Sequence, residues 1–345
     1  MFPAPALRLS QRIFLALCTA WAVCYAAVPA AERIAKKTGA VDRPGDPRRV
    51  HDHPVPRLGG LAIALGFLAG NMLFGPLPRS VGAVLEGSLI VTLTGAGDDL
   101  WDLRPGPKLA AECAAALAAA AGGIRIRLIS GPGGVLDLGA LSLPATVLWI
   151  VGMTNAVNLI DGLDGLAAGV SAVSCACMLG VSVFLPEASA GLLPAALGGA
   201  CLGFLPYNRY PARIFMGDAG ALTLGYVLGC ASAMGLMKMY TAAAFAVPLL
   251  LLALPLSDTA WAVIRRLRRG ESPLRADRGH IHHRLLALGL SQPQAVAVLC
   301  AGSAVTGLGA VILTARGAAR GWLLLLSALI ALSTWVCALR RRPGS

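Results

Sequence analysis

Polar residues interrupt the long apolar stretches of this chain at four places. They are Asp98-Asp99, residues 158–166 (Asn-Leu-Ile-Asp-Gly-Leu-Asp-Gly-Leu), Phe215-Met-Gly-Asp218 and His280-Ile-His-His283. A charged side chain at the centre of a membrane helix costs about 2.5 to 3.5 kcal/mol on insertion scales, so carboxylates in such a setting indicate function rather than packing. We therefore predict that the four motifs meet in one site.

The first motif is a pair of adjacent carboxylates, Asp98 and Asp99, at the end of an apolar segment. Such a pair is suited to hold a divalent cation through its oxygen atoms, or to divide the roles of base and metal ligand. Lys108 begins the next apolar segment, and its side chain is long enough for the ammonium group to reach a phosphate. Together the three residues indicate chemistry on a phosphorylated substrate.

In the second motif, Asp161 and Asp164 lie three residues apart and are predicted to share one face of a helical turn. Gly162 and Gly165 leave room for a ligand to approach the backbone. The stretch lacks the alternating ligands and closing Glu of an EF-hand, and it lacks the Ala-Arg of the CDP-alcohol phosphotransferase signature. In the third motif, Asp218 follows the same pattern, because one acid flanked by glycines opens an apolar segment.

Several polar side chains accompany these acids. Asn208, Arg213 and Phe215 precede Asp218 and supply an amide, a guanidinium and a ring that suit a base or a phosphate. Asp258 lies inside a later apolar segment. Two roles stay open for it: it pairs with a neighbouring helix, or it belongs to the site.

The fourth motif places three imidazoles within four residues, at His280, His282 and His283. Three such rings usually suggest a transition-metal site. No cysteine lies beside them and Asp277 is the nearest carboxylate, whereas the aspartate motifs fit magnesium better. We therefore interpret the three histidines, with Arg284, as phosphate contacts.

Composition places these motifs in a membrane. The chain has 345 residues, of which 57% are hydrophobic and 13% charged, and its mean hydropathy is +0.71. That is too few charges to cover a soluble globule of this size. We predict a single-domain all-α integral membrane protein over residues 1–345, with about 11 transmembrane helices of about 20 residues each. The spans are predicted near residues 12–31, 58–76, 80–97, 108–122, 143–160, 165–185, 190–206, 217–235, 242–264, 293–315 and 320–339.

The distribution of basic residues gives an orientation. Most of the 29 Lys and Arg fall in the loops on one side of these spans. By the positive-inside rule that side is cytoplasmic, which puts the N-terminus outside and the C-terminus inside. All the motifs and all five histidines then lie on the cytoplasmic side. The loops predicted to form the active site are 32–57, 98–108, 158–165, 206–218 and 265–290.

The net charge of +12 reflects this topology and an attraction to the anionic inner leaflet, and a basic face also collects phosphorylated substrates. Nucleic acid is not an expected partner, because the basic residues are tied to short loops between spans.

The nine cysteines lie in apolar segments without a C-x-x-C pattern, so no disulfide framework is implied. Within residues 124–142, apolar and polar side chains alternate over 124–128, a turn sequence follows at Gly131-Pro-Gly-Gly134, and a second short run occupies 135–138. This pattern predicts a small external β-hairpin.

A fifth motif, His51-Asp-His-Pro-Val-Pro-Arg57-Leu-Gly-Gly60, precedes the other four. In this order and spacing, the five motifs resemble those of the polyprenyl-phosphate N-acetylhexosamine-1-phosphate transferase family (glycosyltransferase family 4). The resemblance extends over about residues 30 to 290. Members are multi-span enzymes that load a sugar phosphate from a UDP-sugar onto a lipid phosphate, and the resemblance implies that fold and reaction here.

The histidine motif is informative about the branch of the family. His-Ile-His-His-Arg-Leu at 280–285 is similar to the branch that uses UDP-GlcNAc for teichoic acid, O-antigen lipopolysaccharide or arabinogalactan linkers. The branch that takes UDP-MurNAc-pentapeptide shows three consecutive histidines followed by an acid, and Ile281 and Arg284 depart from that pattern. The resemblance therefore favours transfer of GlcNAc-1-phosphate from UDP-GlcNAc to undecaprenyl phosphate, as the first membrane step of cell-envelope polysaccharide synthesis. Phospho-N-acetylmuramoyl-pentapeptide transfer is the alternative.

The resemblance also implies a mechanism at the cytoplasmic face of the plasma (inner) membrane. A lipid phosphate oxygen attacks the β-phosphorus and UMP leaves. Magnesium, or manganese in its place, is expected on Asp218 with Asp99 as a helper. The catalytic residues implied are Asp98, Asp99, Asp161, Asp164 and His280. The substrate-binding residues implied are Arg57, Lys108, Asn158, Asn208, Phe215, His282, His283 and Arg284.

Individual roles follow from the same resemblance. Asp98 is the candidate base, although a lipid phosphate that is already deprotonated near neutral pH needs none. Phe215 would stack on uracil, while Lys108 and Arg57 suit the lipid phosphate. The bilayer is the expected setting, and the sequence leaves open whether the protein forms a homodimer.

Two other classes of protein compete with an enzyme. A transporter of anionic solutes also places charges within helices, but near the bilayer midplane and often repeated between halves; here the motifs lie at one mouth, with no internal repeat. A lipid-binding scaffold could use the basic face alone, but it would not need clustered acids. Magnesium-dependent release of UMP discriminates, because neither rival predicts it.

Overall fold

The computed structural model describes residues 7–42, 54–74, 78–131, 134–184, 191–236, 246–268 and 280–315. This part of the chain is mostly helical. Its helices are α1 (Leu9–Thr38), α2 (Gly59–Phe74), α3 (Arg79–Trp101), α4 (Pro105–Ala121), α5 (Ser142–Ile160), α6 (Leu166–Ser182), α7 (Leu192–Asn208), α8 (Gly217–Leu236), α9 (Ala246–Leu251), α10 (Ala253–Arg268), α11 (Ile281–Ala287) and α12 (Gln292–Thr314). Two antiparallel ribbons accompany them, β1 (Val41–Asp42) with β2 (Val55–Pro56) and β3 (Leu128–Gly131) with β4 (Gly134–Asp137).

Helix α8 forms the centre of the bundle and packs against α3, α5 and α2. Small residues permit these close crossings, as is usual between membrane helices. A Cβ on Gly60 of α2 would overlap the backbone of Gly220, and a Cβ on Gly225 would lie 2.6 Å from the Cα of Thr154 on α5. The hydroxyls of Thr92 on α3 and Thr223 on α8 lie 2.6 Å apart and share a hydrogen bond in the interior. Helix α8 is thereby fixed against α2, α3 and α5.

The outer helices surround this centre, with α1 packed on α2 and α7, and α6 packed on α7 and α12. Large apolar side chains cover the outward face of the bundle, among them Phe14 of α1 (65% exposed), Leu93 of α3 (67%) and Leu148 of α5 (75%). An apolar exterior of this kind suits lipid rather than water. Among the described residues, four helices are long and apolar enough to cross a bilayer: Leu9–Thr38, Arg79–Trp101, Gly139–Ile160 and Gln292–Thr314. The chain is an all-α membrane protein in its fold class.

Most predicted spans coincide with a helix, but one does not. The predicted span 242–264 is divided into α9 and α10, which meet at Leu252. Pro255 explains the break, because it has no N–H to donate to the carbonyl of Leu251. That carbonyl instead accepts a hydrogen bond of 3.0 Å from the hydroxyl of Ser174 on α6. The predicted span 320–339 lies outside the described residues, so the total of about eleven stays a prediction.

The predicted hairpin is present, although it is shorter than expected. Leu128 pairs with Asp137 and Gly131 with Gly134. Residues 124–127 alternate in sequence but form no strand, because the backbone N–H of Ile126 donates to the hydroxyl of Thr146 on α5 at 2.9 Å. Ile126 is therefore anchored to α5 instead of extending the ribbon.

Candidate active site

The ends of four helices bring one charged cluster together. Lys108, at the start of α4, donates to Asp98 in the last turn of α3 at 3.0 Å and to Asp218 in the first turn of α8. Asn158, near the end of α5, places its amide nitrogen 3.5 Å from the same Asp218 carboxylate. Three of the sequence motifs thus meet around one ammonium group. We call Asp98, Lys108, Asn158 and Asp218 the carboxylate cluster.

A tight connection between α3 and α4 positions Lys108. Helix α3 ends at Trp101, and its C-cap residue Asp102 is a non-glycine residue with a φ of 52°. The backbone N–H of Leu103 donates to Asp98 Oδ1 at 2.8 Å, which folds the chain back toward its own helix end. Pro105 then opens α4, where its missing N–H has no helical partner to lose. Lys108 is returned to Asp98 within one helical turn of that start.

Asp99 faces away from this cluster and into the protein. Its Oδ1 accepts the backbone N–H of Asp218 and its Oδ2 accepts that of Ala219, each at 3.1 Å. The carboxylate thus caps the first turn of α8, where helical N–H groups have no partner of their own. Gly217 makes the approach possible, since its φ is +64° and a Cβ there would overlap the Asp99 carboxylate. The geometry gives Asp99 a structural role, while its expected metal and catalytic roles stay predictions.

Exposure separates these acids further. The side chains of Asp98, Lys108 and Asp218 are 15%, 20% and 24% exposed, whereas Asp99 is buried. A ligand that enters from solvent therefore meets Asp98, Lys108 and Asp218 first.

Asp161 and Asp164 occupy a turn rather than a helix. Helix α5 ends at Ile160, and α6 starts only after Gly165, whose φ is +78°. The prediction that the two acids share one helical face is therefore wrong. Asp164 accepts the backbone N–H of Ala212 at 2.9 Å and holds the loop before α8. Burial, followed by the charges of Asp218, Asp99 and Asp164, raises the pKa of Asp161 to about 8.

Asn208 and Phe215 join the loops behind the site. Both ends of the buried Asn208 amide are used internally, since its oxygen accepts Gly165 N–H at 3.1 Å and its nitrogen donates to the Ile214 carbonyl at 3.0 Å. The N–H of Phe215 donates to the Pro56 carbonyl at 2.8 Å. The structure therefore gives Asn208 a loop-joining role. Its predicted contact with the substrate stays a prediction, as does the stacking of Phe215 on uracil.

Arg57 connects the fifth motif to this assembly. Its Nε donates to the backbone carbonyl of Asp99 at 3.1 Å, and its own N–H donates to the Ala40 carbonyl at 3.0 Å. Residues 51–53 of the same motif lie outside the described residues. Arg57 therefore lies beside the end of α3, with its predicted contact to a lipid phosphate untested.

The histidine motif forms a second cluster at the start of the short helix α11. His280 Nδ1 lies 2.9 Å from Asp258 Oδ2, and the N–H of Ile281 donates to Asp258 Oδ1 at 2.9 Å. The rings of His280 and His282 are parallel with centroids 5.8 Å apart. We call Asp258, His280, His282 and His283 the histidine cluster. Arg284 lies on the same helix with an exposed side chain, and Asp277 lies outside the described residues.

His282 contacts the turn that carries Asp161. Its ring packs so closely on Gly162 that a Cβ at that position would overlap it, which puts the ring beside Asp161. Burial, followed by the neighbouring charges of His283 and His280, lowers the pKa of His282 to about 4, so the ring is neutral at pH 7. Its Nδ1 is buried and has no hydrogen-bond partner among the described residues.

The structure adds Glu112 and Asn155 to the site, which the sequence did not predict, and it decides the role of Asp258. Buried Glu112 on α4 accepts a hydrogen bond from the Asn155 amide on α5. Glu112 lies one turn beyond Lys108, and Asn155 one turn before Asn158, so this bridge supports the carboxylate cluster from behind. A lone acid in the alanine-rich run after Lys108 was a usable signal. Asp258, whose role was open, belongs to the histidine cluster.

The residues at the carboxylate cluster fit a magnesium ion. The carboxylate oxygens of Asp98 and Asp218 converge, and both contact the ammonium group of Lys108. Two converging carboxylates attract positive charge, which a metal ion also supplies. The described residues contain no group of three or more His, Cys, Asp or Glu side chains arranged to hold a metal. Magnesium commonly binds through one or two carboxylates and completes its shell with substrate phosphates and water, so a cluster of this size suits it.

Comparison with known proteins places the chain in a family. The model of glycosyl transferase family 4 matches residues 81–236. A Bacillus subtilis (strain 168) relative, named as a probable undecaprenyl-phosphate N-acetylglucosaminyl 1-phosphate transferase, is 40% identical over 274 residues that cover 79% of this chain and 76% of the relative. The chain belongs to glycosyl transferase family 4. The resemblance noted from the five motifs is thereby confirmed.

Other family members differ in how much of the chain they match. A Mycolicibacterium smegmatis protein named decaprenyl-phosphate N-acetylglucosaminephosphotransferase is 34% identical and covers 81% of this chain and 77% of its own length. A Thermoanaerobacter protein named phospho-N-acetylmuramoyl-pentapeptide-transferase is 50% identical, but over 97 residues that are 28% of this chain. The two relatives named for N-acetylglucosamine thus match along most of the chain, whereas the muramoyl relative matches a part.

Proposed function

We propose that this protein transfers GlcNAc-1-phosphate from UDP-GlcNAc to undecaprenyl phosphate and releases UMP, as the first membrane step of cell-envelope polysaccharide synthesis. The observation that carries the proposal is the carboxylate cluster: Lys108 lies between Asp98 and Asp218 at the meeting point of four helices. Both reactants carry phosphate charges, and this cluster offers cationic and metal-binding groups to neutralise them. The names and extent of the family relatives agree with it.

In the proposed reaction a non-bridging oxygen of the lipid phosphate forms a bond to the β-phosphorus of UDP-GlcNAc. The bond from that phosphorus to the oxygen bridging the two phosphates breaks, and UMP leaves with the electron pair. The product is a lipid diphosphate that carries GlcNAc. No proton has to be removed from an ionised lipid phosphate, so the task of the protein is to align two anions and offset their repulsion.

Each group of the carboxylate cluster has a defined task in this mechanism. Lys108 holds an attacking or leaving phosphate oxygen, and Asn158 orients the Asp218 carboxylate. Asp218, with Asp98 beside it, would hold the magnesium ion. Bound there, magnesium supplies charge neutralisation for the diphosphate. Asp98 accepts hydrogen bonds from Lys108 and from the Leu103 N–H, and it is the candidate base if the acceptor arrives protonated.

The histidine cluster is proposed to bind the phosphate and sugar of the donor. His282 and Arg284 lie on the short helix α11, which His280 immediately precedes. His282 contacts the Asp161 turn through Gly162. The buried Nδ1 of His282 has no partner among the described residues, so a group brought by the substrate or a water molecule can satisfy it.

For the topology we propose about eleven crossings, with the N-terminus outside and the site at the cytoplasmic face of the plasma membrane. In support, the junctions α1 to α2, α3 to α4, α5 to α6 and α7 to α8 contact one another through the bonds of Pro56, Lys108, Asp164 and Phe215. Three of these junctions carry basic residues, among them Arg57, Arg104 and Arg213. Charges gathered at one mouth differ from the midplane site of a transporter.

The choice of UDP-GlcNAc over UDP-MurNAc-pentapeptide has two supports. The relatives named for N-acetylglucosamine match this chain over 79% and 81% of its length, against 28% for the muramoyl relative. The chain also has Ile281 and Arg284 where the muramoyl branch has a histidine and an acid. Phospho-N-acetylmuramoyl-pentapeptide transfer is retained as the second donor to test.

The test measures UMP release by the purified protein in detergent with undecaprenyl phosphate, magnesium and either donor. UDP-GlcNAc is expected to give turnover, and UDP-MurNAc-pentapeptide none. Chelation with EDTA is expected to abolish release, and added magnesium or manganese to restore it. Asp137→Asn is the matched control, because this exposed hairpin aspartate contacts the Gly139 N–H far from the site in sequence. A folded protein that releases no UMP from either donor contradicts the proposal.

A further inference from the structure

Asp258 is the least expected acid of the histidine cluster. It lies on α10, 22 residues before His280 in the chain, and both residues are buried, with 4% and 6% of their side chains exposed. One carboxylate oxygen meets His280 Nδ1 and the other accepts the Ile281 N–H, both at 2.9 Å. A single side chain therefore fixes both the start of α11 and the orientation of one imidazole.

The contact also determines which ring nitrogen carries a proton. A carboxylate only accepts hydrogen bonds, so His280 Nδ1 must be the protonated nitrogen that donates to Asp258. The second nitrogen, Nε2, is then left for a different partner, and the choice of tautomer follows from the bond that the first nitrogen makes. His280 stacks on His282, which packs on Gly162 beside Asp161, so the ring lies next to the acidic turn of the site.

We propose that Asp258 is a positioning residue that holds His280 as the Nδ1–H form, so that Nε2 is a hydrogen-bond acceptor for a hydroxyl or amide N–H of the donor sugar. This inference rests on the proposed function, because it assumes that His280 contacts that sugar. Asp258 itself touches no substrate and acts through His280. The bond to the Ile281 N–H gives it a second, purely structural task, and an experiment must separate the two.

Asp258→Asn separates them. An asparagine keeps an oxygen for the Ile281 N–H, but its NH₂ group must donate to His280 Nδ1, which drives the proton to Nε2. We expect kcat for UMP release to fall about 10- to 100-fold, with KM for UDP-GlcNAc changed less than threefold and the melting temperature close to that of the wild type. Asp258→Glu, which restores a carboxylate, is expected to recover part of kcat. Asp137→Asn is the matched control.

A spectroscopic measurement reports on the tautomer without turnover. The chain has five histidines, so ¹⁵N-histidine labelling of the full-length protein in nanodiscs gives few signals, and His280→Gln assigns the one of interest. We expect a protonated Nδ1 in the wild type and a protonated Nε2 in Asp258→Asn. This readout remains valid if the wild type releases no UMP, so failure of the proposed function is distinguished from failure of the Asp258 contact.

Three results would overturn the inference. The first is a wild-type His280 whose proton is on Nε2 alone. The second is an Asp258→Asn variant that keeps kcat within twofold while its tautomer has switched. The third is a loss of kcat that Asp258→Glu fails to recover although its melting temperature and tautomer match the wild type. If Asp258→Asn does not fold, the wild-type tautomer and Asp258→Glu decide the question.

Discussion

The carboxylate cluster and the histidine cluster lie at the same end of the molecule but are built differently. Asp98, Lys108 and Asp218 occupy the ends of long helices packed on α8, and the two carboxylates are matched by the ammonium group between them. His282 and His283 lie on α11, a helix of seven residues that His280 immediately precedes. The cluster is held by Asp258 and by the contact of His282 with Gly162. The first cluster is therefore set by the whole bundle, and the second by a few local contacts.

This difference suggests a division of labour. A cluster held by long helices keeps charges at fixed separations, which is what the alignment of two phosphates requires. A cluster on a short helix can shift without disturbing the bundle, which suits recognition of a variable donor sugar. Substitutions should accordingly change kcat in the first cluster and mainly KM in the second, Asp258 being the exception that acts on kcat through His280.

The largest effect is expected from Asp218→Asn. The substitution removes the negative charge that Lys108 and Asn158 both contact, and with it the first-choice magnesium ligand. We expect kcat for UMP release to fall by about 10³-fold, with little change in folding because the Asp99 cap uses the backbone N–H of residue 218. Initial rates at saturating substrates measure it, beside Asp137→Asn. A loss of less than tenfold would contradict a central role for this carboxylate.

The bridge behind the carboxylate cluster should give a smaller effect. Glu112→Ala removes the acceptor of the Asn155 amide, which retains its bond of 3.0 Å to the Val151 carbonyl. We expect about a tenfold fall in kcat, because a lost buried hydrogen bond costs about 1 to 3 kcal/mol and loosens α4 against α5. Glu112→Gln keeps an acceptor oxygen and should stay within about threefold. Equal losses in the two variants would show that the charge, rather than the bridge, matters.

Gly162→Ala tests the contact between the histidine cluster and the Asp161 turn. The new Cβ would overlap the His282 ring and displace α11. We expect KM for UDP-GlcNAc to rise about fivefold, near the lower end of the 1 to 3 kcal/mol that overpacking costs, with kcat less affected. Gly152→Ala is the matched control, because a Cβ there meets nothing within 4 Å. If kcat falls and KM does not, the two clusters act as one unit.

The smallest effect is a pH dependence of the histidine cluster. Since the folded pKa of His282 is about 4 and its usual value is 6.5, the unfolded chain binds more protons than the folded one between these pH values. The stability of this region is therefore full above pH 6.5 and decreases as pH falls toward 4. Amide hydrogen exchange, corrected for intrinsic rates, should show lower protection in α11 at pH 5 than at pH 7. Helix α4 should change less.

The sequence was sufficient for the helices and for the approximate location of the site. Long apolar runs predict helices directly, and acids are so unfavourable in such runs that their positions mark function. The sequence was insufficient where a role depends on a distant partner. Nothing local to Asp99 indicates that it caps α8, and nothing near Asn208 indicates that both of its amide atoms are used within the protein. The break at Leu252 was readable from Pro255, but Ser174, which satisfies the released carbonyl, was not.

The cap on α8 has a consequence for how the protein assembles. The N–H groups of Asp218 and Ala219 depend on a carboxylate that lies 119 and 120 residues earlier in the chain. A helix can enter the membrane on its own, but this helix cannot satisfy its first turn until α3 has docked against it. The start of α8 is thus completed by tertiary association rather than by insertion. In a newly made chain, enzymatic activity should therefore appear only after α3 and α8 have packed together.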